Sequence, residues 1–256
     1  MALLDAWDVV TCRRPPMTPS RVLNDGVGGL DFHAVGEHLL GLLVDAAHFQ
    51  PHERVLDVGC GVGRLAVPLT RYITDGEYIG FDVSRPAIKW CQRNIAVPSF
   101  TFTHVDVFNR HYNRRGKIQP TEFRFPSEDE SIDVAFLASI LTHLLPDAAA
   151  QYVAETSRVL KRGGRALMTF FLLDENVREN ANLNFIRDKQ PWWGVQDPKD
   201  PEAAVAYDLR TAEQALAARG LQIVEISRGA WSGHAHARSY QDVVIAVKVG
   251  SDPIYR

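Results

Sequence analysis

The sequence predicts an α/β fold built on a doubly wound, mainly parallel sheet with helices on both faces. Between residues 53 and 173, short apolar segments alternate with segments in which apolar residues recur every three or four positions. This alternation is typical of parallel strands joined by crossover helices. The segment 131–139 is almost continuously apolar, as expected of a central strand that is buried on both faces.

Seven strands are predicted from short apolar runs that end at polar or turn residues. Five of them cover residues 54–58, 77–81, 100–105, 131–139 and 165–173, and the last two cover 221–227 and 242–249. In an open sheet of this kind, ligands bind outside the carboxyl ends of the strands. The residues that follow each strand are therefore the first candidates for a functional site.

Five helices are predicted from their apolar spacing and their end signals. They cover residues 31–49, 62–73, 85–95, 145–160 and 211–219. Ser84 is suited to cap the third helix, and Gly163-Gly164 is suited to stop the fourth. Thr211 and Gln214 have the spacing of a capping box at the start of the fifth.

The composition is that of a globular domain. The 256 residues are 46% hydrophobic and 23% charged, with a formal net charge of -3. This length predicts one domain with insertions, and the lack of a basic surplus argues against a nucleic-acid partner. Cys12, Cys60 and Cys91 are too far apart for a disulfide framework, which favours a reducing, cytoplasmic location.

No membrane partner is expected either. The apolar run at the N-terminus contains Asp5 and Asp8, which is not typical of a signal peptide. The longest apolar stretch, 132–145, contains Asp133 and is too short and too polar to span a membrane.

The chain divides into a main domain and flanking segments. Residues 51–249 carry all seven predicted strands. Two stretches interrupt their rhythm: 109–122, which is basic, and 174–208, which has no clear period. We expect residues 1–50 to form an arm and a helix that cover the active site, and residues 250–256 to form a tail.

The most informative stretch follows the first strand and reads Val-Leu-Asp-Val-Gly-Cys-Gly-Val-Gly-Arg over residues 55–64. Alternating glycines indicate a tight turn that approaches a ligand closely, before a helix start with unpaired N–H groups. Asp82 ends the second strand, where it can accept both hydroxyls of a ribose. Asp106 ends the third strand, where it can accept a hydrogen bond from an adenine amino group. These features suit a cofactor that contains adenosine.

Five segments, taken together and in order, resemble a known family. They read VLDVGCGVGR, YIGFDVS, HVDVFN, SIDVAFLASILTHL and RVLKRGGRALMTFF. They resemble the motifs of the class I S-adenosylmethionine-dependent methyltransferase superfamily, of its small-molecule type, over about residues 50–173. The resemblance implies a Rossmann-like sheet of order 3-2-1-4-5-7-6 with the last-formed strand antiparallel. It also implies S-adenosyl-L-methionine as the cofactor and S-adenosyl-L-homocysteine as the product.

The same resemblance implies a cofactor site at the ends of the first four strands. The amino-acid part of the cofactor would lie against Asp57 and the backbone of Gly59, Cys60 and Gly61. The ribose and adenine would lie against Asp82, Val83, Asp106 and Val107. The sulfonium would lie near Ala138 and Ser139.

His143 is the candidate catalytic residue. It follows Ser139 by four residues, where the active site of the superfamily opens. A hydroxyl acceptor must lose a proton during methyl transfer, and histidine can take it near neutral pH. The alternative is that His143 packs beside the cofactor or caps the next helix.

No catalytic metal is predicted. A metal-assisted mechanism of the catechol type would need carboxylates at the end of the fourth strand, which reads Phe136-Leu137-Ala138-Ser139. Asp174-Glu175-Asn176, after the fifth strand, supplies only part of such a set.

Substrate recognition is expected from the variable segments. Arg114, with its neighbours Arg115 and Lys117, favours a substrate that carries a carboxylate or phosphate. The other candidates are aromatic or imidazole side chains, namely Trp192, Trp193, Trp231 and His234. The three tryptophans can stack on a ring or sugar, but they can equally cover the edge of the sheet.

These observations predict a methyltransferase that acts on a small molecule, and His143 favours O-methylation. N-methylation and a non-catalytic cofactor-binding role remain alternatives. A nicotinamide-dependent oxidoreductase is disfavoured by the G-x-G-x-G spacing and by Asp106, and an aminopropyltransferase by the lack of acids at the fourth strand's end. The chain also lacks the Asn/Asp-Pro-Pro-aromatic element of many enzymes that methylate nucleic-acid bases.

Overall fold

A computed structural model describes residues 15–25, 31–178, 181–187 and 190–250. The strands are β1 (Arg54–Val58), β2 (Glu77–Asp82), β3 (Phe100–His104), β4 (Ile132–Leu137), β5 (Leu160–Phe170), β6 (Leu172–Leu173), β7 (Trp193–Val195), β8 (Val205–Asp208), β9 (Leu221–Ser227) and β10 (Asp242–Lys248). The α-helices are α1 (Arg21–Asp25), α2 (Phe32–Asp45), α3 (Ala66–Leu69), α4 (Arg85–Asn94), α5 (Pro146–Val159) and α6 (Leu209–Ala217). The predictions that concern Asp5, Asp8 and Cys12 lie outside the described residues.

The main sheet has the predicted topology. Its seven strands follow the order β3-β2-β1-β4-β5-β10-β9. The pairs among β1 to β5 are parallel, whereas β10 runs antiparallel to both β5 and β9. The predicted fold class, strand order and single antiparallel strand are therefore confirmed.

Two hydrophobic clusters lie on opposite faces of this sheet. Val55 of β1 belongs to the cluster that contains residues of α2, α3 and α4. Its neighbour Leu56 belongs to the cluster that contains residues of α5 and α6. Successive residues of a strand point to opposite faces, so one short apolar strand serves both layers.

The helix predicted over 62–73 is much shorter than expected. Only α3, Ala66–Leu69, is helical, because the glycine-rich turn extends to residue 65 before the helix begins. Pro68 lies inside α3 and has no N–H to continue it. The predicted bounds of this helix were therefore wrong, since it begins four residues later and ends four residues earlier than expected.

Two other boundaries differ from the prediction. Helix α6 begins at Leu209, and its cap is Asp208, whose Oδ1 accepts a hydrogen bond from the backbone N–H of Thr211 at 3.1 Å. Thr211 thus lies inside the helix and not at its cap. Gly163-Gly164 lies within β5, which starts directly at the end of α5, and not in a loop after the helix.

The stretch 174–208 contributes two of the three strands of a second, small sheet that the sequence did not reveal. Strand β8 lies between β6, to which it is parallel, and β7, to which it is antiparallel. These strands have four residues or fewer, which is too short for a periodicity to emerge. Among the described residues, no helix has the length and apolar character needed to cross a membrane.

Candidate functional site

The strands that carry the predicted cofactor residues end at one edge of the main sheet. Asp57 of β1 is in register with Gly80 of β2 and with Phe136 of β4, and Asp82 of β2 is in register with His104 of β3. Since these strands are parallel, their carboxyl ends share one edge. The residues that follow them therefore surround a common space.

Gly59 fixes how the turn after β1 meets the end of β4. Its φ is +73°, and a Cβ built on it would lie 2.2 Å from Cδ1 of Ile140. A side chain at this position would be strained in conformation and would collide with Ile140. The close approach brings the glycine-rich turn directly against the segment that carries Ser139 and His143.

The backbone N–H groups of the turn are already used within the protein. Those of Gly59 and Cys60 both donate to the carbonyl oxygen of Phe81, at 2.9 and 3.0 Å. The N–H of Gly61 donates to Oδ2 of Asp82 at 2.9 Å. With its donors occupied, the turn suits a cationic group, which needs hydrogen-bond acceptors, better than an anion.

Asp57 is a buried carboxylate beneath this turn. It is 4% exposed, and the Tyr78 hydroxyl donates to its Oδ2 at 2.6 Å. The ring of Tyr78 passes over Gly80, where an added Cβ would lie 2.8 Å from the hydroxyl oxygen. Burial, with a smaller contribution from the nearby Asp82, raises the pKa of Asp57 to about 7 against the opposing effect of the Tyr78 hydrogen bond.

The raised pKa of Asp57 predicts a specific pH dependence of stability. The unfolded chain loses this proton above about pH 4, whereas the folded protein keeps it up to about pH 7. Stability of the wild type should therefore fall as pH rises through this window, by at most about 1.4 kcal/mol per unit. Asp57→Asn keeps an acceptor for Tyr78 but does not titrate, so its stability relative to the wild type should increase from pH 5 to pH 7.

Urea unfolding of both proteins at several pH values measures this difference. Asp75→Asn provides the matched control, because it makes the same chemical change at an exposed position. A stability difference for Asp57→Asn that does not change with pH would show that the Asp57 carboxylate is already ionised in the folded protein.

Asp82 and Asp106 lie next to each other along the edge. Asp82 accepts hydrogen bonds from the backbone N–H groups of Ser84 and Gly61, at 2.6 and 2.9 Å. Burial raises its pKa, although those two hydrogen bonds and His104 act in the opposite direction. Asp106 is half-buried, and its Oδ1 accepts a hydrogen bond from the side chain of Asn113 at 3.2 Å.

The end of β4 carries polar contacts that sequence reasoning missed. Ser139 is exposed and has a φ of +56°, which is rare for a residue other than glycine. Its backbone N–H donates to Oγ1 of Thr169 at 2.7 Å, and its hydroxyl donates to Oε1 of Gln241 at 3.1 Å. Thr169 had one visible signal, being the single hydroxyl in the apolar run Ala166–Phe171, whereas Gln241 had none.

His143 ends a short 3₁₀ turn, Leu141–His143, that follows Ser139. Its Nδ1 lies 2.9 Å from the backbone oxygen of Glu202. Because a carbonyl only accepts, Nδ1 must carry the proton of the neutral ring. The Nε2 atom is then the nitrogen that can accept a proton.

The basic insertion contacts the short segment around Asp200 and Glu202, whose backbone is hydrogen-bonded to His143. Nε2 of His111 lies 3.3 Å from Oδ1 of Asp200, and the guanidinium of Arg110 donates to the backbone oxygen of Lys199 at 3.2 Å. Both partners lie just before Glu202. The loop after β3 and the turn that carries His143 are therefore tied to the same short segment.

The predicted substrate residues do not form one group. Arg114 is exposed, and its Nε donates to the backbone oxygen of Arg110 at 2.7 Å. Trp192 lines a cavity of about 210 Å³ beside α5 and α6, while Trp193 lies half-buried in β7. His234 lies 3.0 Å from the Ser232 hydroxyl, in the loop before β10.

Trp231 is a core residue. It is 0% exposed, and its indole N–H donates to Oδ2 of Asp242 at 2.8 Å. Its burial favours the packing alternative, so Trp231 has no place in the proposed substrate site. No cluster of three or more metal-ligating side chains occurs among the described residues, and the expectation of a metal-free mechanism stays a prediction.

Comparison with known proteins agrees with this geometry. A family described as "Methyltransferase domain" matches residues 56–168, which run from β1 through most of β5. The match covers the glycine-rich turn, both strand-end acids and the turn that carries His143. Residues 56–168 therefore match a methyltransferase domain, which supports the predicted membership of the class I S-adenosylmethionine-dependent methyltransferase superfamily.

Two curated methyltransferases are similar to part of the chain. Phthiotriol/phenolphthiotriol dimycocerosates methyltransferase 1 of Mycobacterium ulcerans is 36% identical over 117 residues, which are 46% of this chain and 37% of that protein. The tRNA N(3)-cytidine methyltransferase METTL2 of Gallus gallus is 31% identical over 120 residues, which are 45% of this chain and 29% of that protein. The similarity thus spans about a third of each relative's length.

Solved structures share the fold over most of the chain. The 1,6-didemethyltoxoflavin-N1-methyltransferase of Burkholderia thailandensis, with 1,6-didemethyltoxoflavin and S-adenosylhomocysteine bound, has a TM-score of 0.57 and 17% identity over 89% of this chain and 84% of that one. The [4+2]-cyclase SpnF also has a TM-score of 0.57, with 18% identity over 89% of this chain and 92% of that one. The shared fold therefore extends beyond the methyltransferase domain, although it does not by itself select a reaction.

Proposed function

We propose that this protein transfers a methyl group from S-adenosylmethionine to a hydroxyl group of a small molecule, with His143 as general base. The observation that carries the proposal is the contact of His143 Nδ1 with the backbone oxygen of Glu202, which leaves Nε2 as the proton acceptor. Three residues separate the end of β4 from the turn that presents His143.

The residues at the sheet edge fit the cofactor. When bound, S-adenosylmethionine supplies a methyl group on a sulfonium sulfur, which is released as a neutral thioether. Asp57 and the turn at Gly59, Cys60 and Gly61 would hold the ammonium group of its amino-acid part, since the N–H groups of these three residues are occupied and the acidic side chain of Asp57 lies beneath the turn. The hydroxyls of the ribose would lie at Asp82.

The adenine would lie between the residues that follow β2 and β3. Val83 and Val107 belong to the hydrophobic cluster on the α5 and α6 face, and Asp106 stands beside Val107. Ala138 and Ser139 would lie at the reacting end. This assignment uses the cofactor residues that the sequence predicted.

The protein has two tasks in such a reaction. It must align the acceptor with the methyl group, because orientation alone supplies much of the rate in a displacement of this kind. It must also remove the acceptor's proton, which His143 Nε2 would take up as the new bond forms. The hydrogen bond from Nδ1 to Glu202 holds the imidazole ring in the required tautomer and orientation.

The names of similar proteins support a small-molecule acceptor. The Mycobacterium relative is named for phthiotriol, a triol, which agrees with a hydroxyl acceptor. The tRNA methyltransferase is similar over a comparable length, but the net charge of -3 does not favour a nucleic-acid surface. N-methylation is the second candidate, because the Burkholderia enzyme of the same fold is an N1-methyltransferase.

The proposal is tested by replacing His143 with alanine. We expect kcat for a hydroxyl acceptor to fall by about 10²- to 10⁴-fold, the usual contribution of a general base, while S-adenosylhomocysteine binds as tightly as to the wild type. Added imidazole should restore part of the rate by replacing the missing ring. Formation of S-adenosylhomocysteine, followed over a panel of phenols, alcohols and amines, gives the readout.

His52→Ala is the matched control, because His52 is exposed in the turn before β1. It should leave the rate unchanged. If His143→Ala retained its rate to within about threefold and imidazole had no effect, the base would have to be sought elsewhere or the acceptor would have to be an amine that reacts as the free base.

A further inference from the structure

Gln241 lies at the centre of a polar network beside the reacting end of the proposed site. Its Oε1 accepts hydrogen bonds from the Thr169 hydroxyl at 2.6 Å and from the Ser139 hydroxyl at 3.1 Å. Its Nε2 donates to Oγ1 of Thr142 at 3.4 Å. One side chain, from the residue before β10, thus contacts β5, the end of β4 and the turn that leads to His143.

The network determines the direction of each hydrogen bond. Oγ1 of Thr169 accepts the backbone N–H of Ser139 at 2.7 Å, so its single hydrogen is free to go to Gln241. The Ser139 hydroxyl also gives its single hydrogen to Gln241. Ser139 therefore presents only lone pairs to any further partner.

Ser139 is held in an unfavourable backbone conformation at this point. Its φ of +56° is unfavourable for a residue other than glycine, and surrounding contacts must stabilise it. Thr169 and Gln241 supply these contacts, and Thr169 itself is only 4% exposed. The side chain of Ser139 remains exposed, so the conformation directs a fixed hydroxyl outward.

The other polar group near the reacting end has the same character. His143 carries its proton on Nδ1, which is occupied by Glu202, and offers the unprotonated Nε2. Both Ser139 and His143 therefore act as hydrogen-bond acceptors. A nucleophile that approaches them must bring the hydrogen.

We propose that Gln241 is a positioning residue that orients Ser139 and the turn carrying His143, so that the site takes acceptors whose nucleophilic atom bears a hydrogen. The proposal rests on the proposed function, because the reacting end is located by the cofactor site. Such a site selects alcohols, phenols and primary or secondary amines as acceptors. It disfavours tertiary amines and thioethers, whose nucleophilic atom has no hydrogen to donate. In each productive case the new bond to carbon forms as the bond from carbon to sulfur breaks, and the hydrogen leaves as a proton to His143.

Three variants separate positioning from folding. Gln241→Met keeps the size of the side chain but removes both its acceptor and its donor. Gln241→Glu keeps the acceptor for Ser139 and Thr169, replaces the donor to Thr142 by a second acceptor oxygen and adds a negative charge. Gln222→Met makes the same chemical change at an exposed position of β9 and serves as the control.

The first readout needs no acceptor. Hydrogen exchange of the Ser139 backbone amide, measured by NMR with S-adenosylhomocysteine bound, should accelerate by about tenfold or more in Gln241→Met, because Thr169 is no longer held. It should stay near the wild-type rate in Gln241→Glu and in Gln222→Met. Unchanged exchange in Gln241→Met would overturn the positioning role.

The second readout concerns the acceptor. Wild type should methylate a secondary amine, such as N-methylaniline, or a phenol, and should leave N,N-dimethylaniline and thioanisole unreacted. Gln241→Met should lower kcat for the reactive acceptors by about 10²-fold, the effect of misplacement by an ångström, with the dissociation constant of S-adenosylhomocysteine unchanged. Gln241→Glu should recover part of this rate.

The outcomes distinguish this inference from the proposed function. If the wild type fails to bind S-adenosylhomocysteine, the proposed function is wrong and this inference falls with it. If it binds the cofactor and methylates the tertiary amine or the thioether as fast as their hydrogen-bearing counterparts, only the inference is wrong.

Discussion

Asp82→Ala should weaken the binding of S-adenosylmethionine and of S-adenosylhomocysteine by about 100-fold or more. In the proposed site this carboxylate accepts both ribose hydroxyls, and each hydrogen bond to a charged group contributes roughly 1.5–3 kcal/mol. The substitution also removes the acceptor for the N–H of Gly61, which loosens the glycine-rich turn. Both effects weaken cofactor binding, and neither involves a residue of the hydrophobic core.

Isothermal titration calorimetry of both ligands measures this loss. Asp75→Ala, at an exposed position in the turn before β2, should bind like the wild type. A parallel titration with a nicotinamide dinucleotide tests the disfavoured oxidoreductase interpretation. Wild type that bound the nicotinamide cofactor and neither adenosyl ligand would refute every site assignment from residue 55 onward.

Asp242→Ala should destabilise the fold by about 3–5 kcal/mol, the usual cost of breaking a buried charged network. Asp242 is 0% exposed and accepts three hydrogen bonds. The donors are the backbone N–H groups of Leu172 and Gly229 and the indole of Trp231, at 2.8, 2.7 and 2.8 Å. Removing the carboxylate leaves all three donors buried without a partner.

Arg228 adds to this expected cost. Its guanidinium lies 3.7 Å from Oδ1 of Asp242 and donates to Asp174 at 2.7 Å. Burial raises the pKa of Asp242, while the backbone hydrogen bonds and Arg228 oppose that effect. Loss of the carboxylate would leave Arg228 with one fewer counter-charge in a place that is largely screened from water.

Urea or guanidinium unfolding of the wild type and of Asp242→Ala gives the free-energy difference. Asp45→Ala is the matched control, because Asp45 is exposed at the last residue of α2 and should change stability by no more than about 0.5 kcal/mol. A change below about 1 kcal/mol for Asp242→Ala would mean that water replaces the lost carboxylate.

The elements that the sequence predicts well are those with local signals. The apolar runs of β1 and β2 and the acid at the end of β2 can be read directly from the sequence. The parallel topology then places Asp57 and Asp82 at the same edge of the main sheet. The predicted cofactor residues thus come together because the carboxyl ends of parallel strands coincide. The roles assigned to them remain proposals that the substitutions above test.

The parts that could not be predicted depend on contacts between distant residues. Gln241 and Ser139 are 102 positions apart, and nothing near either residue indicates the other. The hydrogen bond between His143 and Glu202 joins residues 59 positions apart. Its acceptor is a backbone oxygen, and a backbone atom leaves no signature in the sequence. Thr211 and Asp208 both have the chemistry of a cap, and only the path of β8 into α6 decides between them.

The segment around Asp200 and Glu202 has a consequence for how enzymes of this design can be altered. It is attached on one side to the basic loop through Asp200 and on the other to His143 through the backbone of Glu202. We expect that a graft which exchanges the loop at 109–122 for one from a known methyltransferase would also shift the segment on which His143 rests. Under the proposed roles of this loop and of His143, specificity and rate are coupled through one short piece of backbone, and the two insertions should be transplanted together.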